Sequence, residues 1–188
     1  MNLFTIDCKD VLLREFIAED LESFHALTWQ PEIYEFLPGW NVPREQREDW
    51  FINYELPENL AFLRAVSDEG GTIGELRLRL AIIHKESGEL IGWCCTGIKD
   101  ELPAPNREIM YAISKDHRGN GYTTQAAQGL IEYLFEQTDV EVLNALALLQ
   151  NEPSNKVINK CGFAFQSIIE IEDERFNTYT LKKQDWSK

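Results

Sequence analysis

Basic charge is in short supply in this sequence of 188 residues: 18 lysines and arginines face 32 aspartates and glutamates, for a net charge of −14 and a pI near 4.6. A protein that tracks nucleic-acid phosphates needs the opposite balance, so no nucleic-acid partner is expected. Acidity can draw in a cationic substrate, but it also simply keeps a protein soluble. No apolar run is long enough to span a bilayer, and the start MNLFTIDCKDVLLREF puts charges where a signal peptide needs its apolar stretch. A cytoplasmic protein with no membrane partner is the expectation. The four cysteines (Cys8, Cys94, Cys95, Cys161) form no CxxC and have no histidine at ligand spacing. Neither a zinc site, nor any other metal site, nor a disulfide framework is suggested, and reduced buried thiols are expected. Repeats, low-complexity tracts and interdomain linkers are missing too. With 44% hydrophobic residues, the length suits one domain over 1–188.

What is present is a legible series of elements. Leu13, Arg14 and Phe16 read as the end of a first strand, and Leu21, Phe24 and Thr28 fall at helical spacing after Glu19. Pro31 opens a second short helix through Ile33 and Phe36, stopped by Pro38-Gly39 before Trp40. From Pro43 to about Asp68 the apolar spacing is helical, with Pro57 as an interruption. Leu76, Leu78, Leu80 and Ile82 alternate with Arg77 and Arg79, which predicts a half-buried strand with one wet face. ESGE at 86–89 makes a turn, Leu90 to Thr96 returns as an apolar strand, and REIMYAIS at 107–114 supplies the next after the ELPAPN loop. Ala127, Leu130, Ile131, Leu134 and Phe135 mark one face of a helix. Val140 to Leu149 reads as a strand covered on both faces, and 165–182 as a closing hairpin.

Between the fourth of these strands and the long helix lies HRGNGYTT, His117 to Thr124. Gly119 and Gly121 flank one asparagine, so the backbone can take positive φ and approach a ligand with no Cβ in the way. The helix that follows offers unpaired N–H groups and its dipole to a phosphate or pyrophosphate, and Arg118 can add a cationic contact. The same turn can serve plain chain reversal. It is neither a P-loop, lacking GxxxxGK[ST], nor a dinucleotide fingerprint, lacking GxGxxG. Further on, NEPSNKVINKCGF at 151–163 reads as a short helix with Ser154 as N-cap and Gly162 as its C′ residue.

Together these two motifs resemble the acetyl-CoA site of the GNAT acyltransferase superfamily. The first matches the pattern of Arg or Gln, two residues, Gly, one residue, then Gly or Ala, with Thr123 departing at the last position. The second resembles the ribosomal-protein N-terminal acetyltransferase branch, RimJ/RimL-like. The likeness extends to LREFIAED at 13–20, PEIYEFLPGW at 31–40, EIMYAIS at 108–114 and TYTLKKQDW at 178–186. It implies an α+β GNAT fold: a mixed, mostly antiparallel central sheet flanked by helices and splayed between its fourth and fifth strands, where the coenzyme inserts. It also implies that the diphosphate of acetyl-CoA rests on Arg118, Gly119, Asn120, Gly121, Tyr122 and Thr123, with the pantetheine arm along the backbone of Ala112, Ile113 and Ser114.

Acetyl transfer to an amine needs a deprotonated amine, a polarised thioester carbonyl and a stabilised thiolate. No Ser-His-Asp or Cys-His grouping stands out, in keeping with direct attack on acetyl-CoA and no acyl-enzyme. The resemblance makes Glu108 the candidate base, acting through water, against the plain reading of an exposed strand-end carboxylate. It makes Ser154 the hydrogen-bond partner of the coenzyme sulfur and Asn151 an orienting group. Ile158 stands where many GNAT enzymes have a tyrosine acid, which excludes that acid at that site. A backbone N–H near Ile113 is the candidate carbonyl polariser. Trp40, Trp93 and Tyr111 are candidates to line an acceptor pocket, with core packing as the alternative. The implied activity is transfer to a primary amine, a protein N-terminal α-amine or a small polyamine, amino acid or aminoglycoside, by a monomer or homodimer. A non-catalytic acyl-CoA sensor is the rival reading.

Overall fold

Period-two segments become strands because each has a wall to pack against. In the computed structural model, which describes residues 3–187, eight strands form one sheet in the order β1-β2-β3-β4-β5-β6-β8-β7. They are β1 (Thr5–Asp7), β2 (Val11–Glu15), β3 (Leu78–His84), β4 (Leu90–Ile98), β5 (Arg107–Ile113), β6 (Val142–Leu148), β7 (Ala164–Ile171) and β8 (Glu174–Lys182). All neighbours run antiparallel except β5 and β6, which are parallel. The expected α+β architecture is therefore present. The short edge strand β1 precedes the first strand anticipated from sequence, so the fourth and fifth strands of the sequence reading are β5 and β6. The two-residue turn of the closing hairpin places Glu172 at φ 49° and Asp173 at φ 66°, the left-handed pair that a tight antiparallel turn requires.

Helices cover both faces. On one lie α4 (Leu56–Asp68), α5 (Tyr122–Gln137) and α6 (Glu152–Lys160), whose Phe62, Leu130, Leu134, Phe135 and Ile158 pack with Leu80, Ile82, Leu143 and Ala145. On the other, α1 (Leu21–Thr28), α2 (Pro31–Tyr34) and α3 (Arg44–Trp50) bring Phe24, Leu27 and Ile33 against Ala81, Trp93 and Cys95. Burying each such large side chain is worth about 1.5–3 kcal/mol, so both layers are needed to hold the sheet.

This second layer corrects the sequence reading of β3. Its Arg79 is largely covered: the guanidinium lies 4.8 Å from the Trp40 ring and 2.5 Å from Glu55 Oε2. Alternation with arginine looks like a wet face, yet a guanidinium stacked on an aromatic and paired with a carboxylate can be covered. Pro57 is likewise no break. A π-helical turn, Phe51–Glu55, joins α3 to α4, and Leu56 N–H donates to Phe51 O one residue further back than in an α-helix. The proline's missing N–H is thereby accommodated at the first turn of α4.

Candidate active site

The site begins where two strands part. β5 and β6 share a single register pair, Glu108 with Asn144, and beyond it they diverge. Asn144 pins the apex: its Nδ2 donates to Pro105 O (2.9 Å) and Arg107 O (3.1 Å), while its Oδ1 accepts from Thr180 Oγ1 at 3.1 Å. The opening is a cleft of about 850 Å³ lined by Ile109 to Ile113 on one side and Ala145 to Leu148 on the other. Ser114 N donates to Ile91 O on β4 at 2.7 Å. By antiparallel alternation Ala112 N–H also points to β4, whereas those of Ile113 and Tyr111 face the splay. Of the three backbones expected to meet the pantetheine, Ile113 therefore offers its N–H, while those of Ala112 and Ser114 are spent within the sheet. Ser114 is buried and lies outside the cleft lining.

At one end of the cleft, Gly119 and Gly121 adopt φ 79° and 78°, and nothing lies within 4 Å of a Cβ built on either. Glycine is required there by backbone conformation, and the open space belongs to whatever approaches the turn. Gly121 caps α5, and the first backbone bond of that helix runs from Gln125 N to Gly121 O at 3.1 Å. The N–H groups of Tyr122, Thr123 and Thr124 are thus left for an anion. Asn120 lies outside the lining and braces the turn, its Nδ2 donating to His117 O and Arg118 O. Arg118 Nη2 donates to Glu32 O at 2.6 Å, and Gln30 bridges Ser114 Oγ (3.1 Å) and Lys115 N (2.9 Å). The turn is tied in this way to the start of α2. Lys156 and Lys160 add positive charge along the cleft from α6.

At the other wall, Asn151 and not Ser154 is the N-cap of α6: its Oδ1 accepts from Ser154 N at 3.3 Å. Ser154 sits in the first turn with its hydroxyl free to engage a neighbour. That neighbour is Tyr111, whose Oη lies 3.2 Å from both Ser154 Oγ and Ser154 O. Burial pushes the Tyr111 phenol well above its usual range, so it stays protonated and can donate. Tyr111 therefore lines the β5–β6 cleft beside Ser154, on the face of β5 opposite Glu108.

Glu108, Met110 and Trp40 line both the cleft and a second cavity of about 120 Å³, which Glu55 and the start of α4 close. Burial raises the Glu108 carboxyl to about 7; Lys99 and Arg77 pull it down less strongly, and Glu101 adds to the rise. A carboxyl poised there can take a proton at neutral pH. Trp93 is a different case: it is fully buried and stacks on Trp40 at 5.2 Å, so it is a core residue behind the pocket, not part of its lining. Burial pushes Cys95 up to about 11, Cys161 up to about 12 and Cys94 well above its normal value. None of these three is a thiolate near neutrality. Among the described residues no group of three or more His, Cys, Asp or Glu is arranged to hold a metal ion, and no helix is long and apolar enough to cross a membrane.

Sequence reasoning missed the Tyr111–Ser154 contact, which joins residues 43 apart. It also missed the charged lining of the smaller cavity, Glu55, Glu58, Arg77 and Arg79. Only the clustering of arginines on β3 could have signalled it.

Residues 10–164 match the family described as Acetyltransferase (GNAT) domain. Among relatives, the uncharacterized N-acetyltransferase YnaD of Bacillus subtilis is 23% identical over 97% of this chain and 99% of its own. The uncharacterized N-acetyltransferase p20 of Bacillus licheniformis is 32% identical over 48% of this chain, and the match spans about half of that relative, 51%. Among solved structures, a GNAT-family acetyltransferase from Bacillus anthracis superposes with a TM-score of 0.76 at 18% identity, covering 96% of this chain and 99% of that one. RimL, a ribosomal L7/L12 α-N-protein acetyltransferase solved with coenzyme A, gives 0.72 at 15% identity over 95% and 98%. A splayed β5–β6 pair opening onto a glycine turn at a helix start is the arrangement that the matched sequence encodes, and the chain belongs to the GNAT acetyltransferase domain family.

Proposed function

We propose that this acetyltransferase moves the acetyl group of acetyl-CoA directly to a primary amine, with Glu108 as the base and with a protein N-terminal α-amine as one class of acceptor. The observation that carries the reading is the position of Glu108: a single carboxyl, raised to about 7, borders both the coenzyme cleft and the smaller cavity. In this reading the pyrophosphate rests on the N–H groups of Gly121 to Thr124, and the thioester carbonyl is polarised by the N–H of Ile113. The amine nitrogen attacks the carbonyl carbon, its proton passes through water to Glu108, and the C–S bond breaks. The departing thiolate accepts a hydrogen bond from Ser154 Oγ, which Tyr111 supports, while Asn151 holds Ser154 in the first turn of α6. RimL, whose name gives a protein α-amine as acceptor, shares the fold and supports that acceptor class as one option. Retention of a half-buried carboxyl raised to about 7 favours an enzyme over a sensor that only binds acyl-CoA.

Because transfer needs the carboxylate, the rate should rise with pH through about 7 and level off above it. Glu108→Gln should lower kcat by about 100-fold or more and remove that limb, with acetyl-CoA affinity nearly unchanged. Measuring kcat/KM from pH 5.5 to 9 in both proteins checks this; an unaltered profile in the variant removes Glu108 from the mechanism.

A further inference from the structure

The smaller cavity says something about the acceptor that net charge does not. Register places Gly97 of β4 directly beside Glu108 of β5. On the other side, β3 pairs Leu78 with Thr96, so Arg77 falls next to Gly97 in the same row. A Cβ built on Gly97 would stand 3.3 Å from Arg77 Cγ, 3.6 Å from Cδ and 3.7 Å from Nε. The arginine stem therefore lies over the glycine, on the face that carries Glu108. The two chains start two strands apart, roughly 10 Å, and the missing side chain at position 97 leaves the gap between them open.

The other charges around this gap are mostly committed. Glu55 holds Arg47 (3.3 Å) and Arg79 (2.5 Å), and Lys99 holds Glu101 at 3.1 Å. Arg77 is exposed and takes part in no ion pair within 4 Å among the described residues. Glu58, from α4, is an exposed carboxylate on the outer wall. Arg107 fixes the frame: it is buried, and its guanidinium donates to Gly74 O (2.7 Å) and Leu76 O (3.0 Å), which holds the lead into Arg77 against the first residue of β5. At about 120 Å³ the pocket is well under the ~300 Å³ of ordinary small-ligand sites, which suits a compact head group and not a sugar ring system.

We infer that the acceptor carries a carboxylate within a few bonds of the reacting amine, the amine meeting Glu108 and the carboxylate meeting Arg77 across the Gly97 gap. This rests on the acetyl-transfer reading above and narrows it. A guanidinium beside the base offers a carboxylate a charge-assisted, two-point hydrogen bond, and it repels the second ammonium of a polyamine. A free α-amino acid and a peptide whose first residue is acidic both present this chemistry.

The test compares matched acceptors with the wild-type protein and with Arg77→Gln, at saturating acetyl-CoA and following coenzyme A release. The pairs are a free amino acid against its amide, and a short peptide beginning with Asp against the same peptide beginning with Asn; spermidine is the polycation. The expected result is a kcat/KM at least tenfold higher for the carboxylate member of one pair, and which pair shows it identifies the source. Arg77→Gln should bring that ratio close to one through KM, leave the KM for acetyl-CoA unchanged, and be partly rescued by Arg77→Lys. Equal rates within both pairs, or preference for spermidine, would overturn this inference and leave acetyl transfer intact. No acetylation of any acceptor by protein that binds acetyl-CoA would overturn both.

Discussion

The two ends of this site, the one proposed to take the coenzyme and the one proposed to take the acceptor, are built by different means. At the end proposed for the coenzyme the groups on offer are backbone: N–H groups at the start of α5, the splay-facing edge of β5, and two glycines at φ 79° and 78°. At the end proposed for the acceptor they are side chains: Arg77 just before β3, Arg79 on β3, Glu108 on β5, Glu55 in the π turn and Trp40 in the loop before α3. Backbone recognition depends on conformation and tolerates many sequences. Side-chain recognition depends on which residues stand in one row, so a single change there alters chemistry without altering the fold.

The largest way to break this contrast is to fill the coenzyme end. Gly121→Glu puts a Cβ on a residue at φ 78° and a carboxylate against the phosphate position, and acetyl-CoA affinity should fall by more than about 100-fold. Calorimetric titration reads it, with far-UV circular dichroism showing that the fold persists. Unchanged affinity would mean that the turn is structural only.

A smaller effect is expected between the two ends, where a side chain acts through another. Tyr111→Phe removes the hydroxyl 3.2 Å from Ser154 Oγ and keeps the ring in the core. A loss of about 3–10-fold in kcat is expected, the worth of roughly one hydrogen bond, with the KM for acetyl-CoA little changed. Stopped-flow or steady-state assay against several acyl donors would sharpen this, since the loss should be larger for poorer thiol leaving groups. A loss confined to KM would assign Tyr111 to packing alone.

The same contrast explains what could be read from sequence. HRGNGYTT is contiguous, so its turn and the helix after it were legible in eight letters, as were the apolar run of β4, the strand β5 and the one-faced pattern of α5. Glu108 could be singled out only because the family likeness marked its place at the start of β5. The Tyr111–Ser154 pair was not legible, because it needs β5 and α6 to meet across the cleft. For Trp93 the sequence left pocket and core both open, and the choice of core depends on α1 bringing Phe24 to 5.2 Å from its ring. Arg79 misled for a physical reason: a guanidinium is polar by letter, yet with Glu55 and Trp40 beside it, it can be covered. The π turn before Pro57 escaped because a proline ends most helical patterns, and only a register shift lets one pass.

The claim on which the rest stands is that acetyl-CoA occupies the β5–β6 splay and the turn at the start of α5. Amide hydrogen exchange of the wild-type protein, with and without saturating acetyl-CoA, tests it directly. Added protection should fall on Tyr111, Ile113 and Gly121 to Thr124, the amides that face the opening, while β1 and β7 remain as they were. Protection elsewhere, or a bound coenzyme that leaves those amides exchanging as before, would contradict the account.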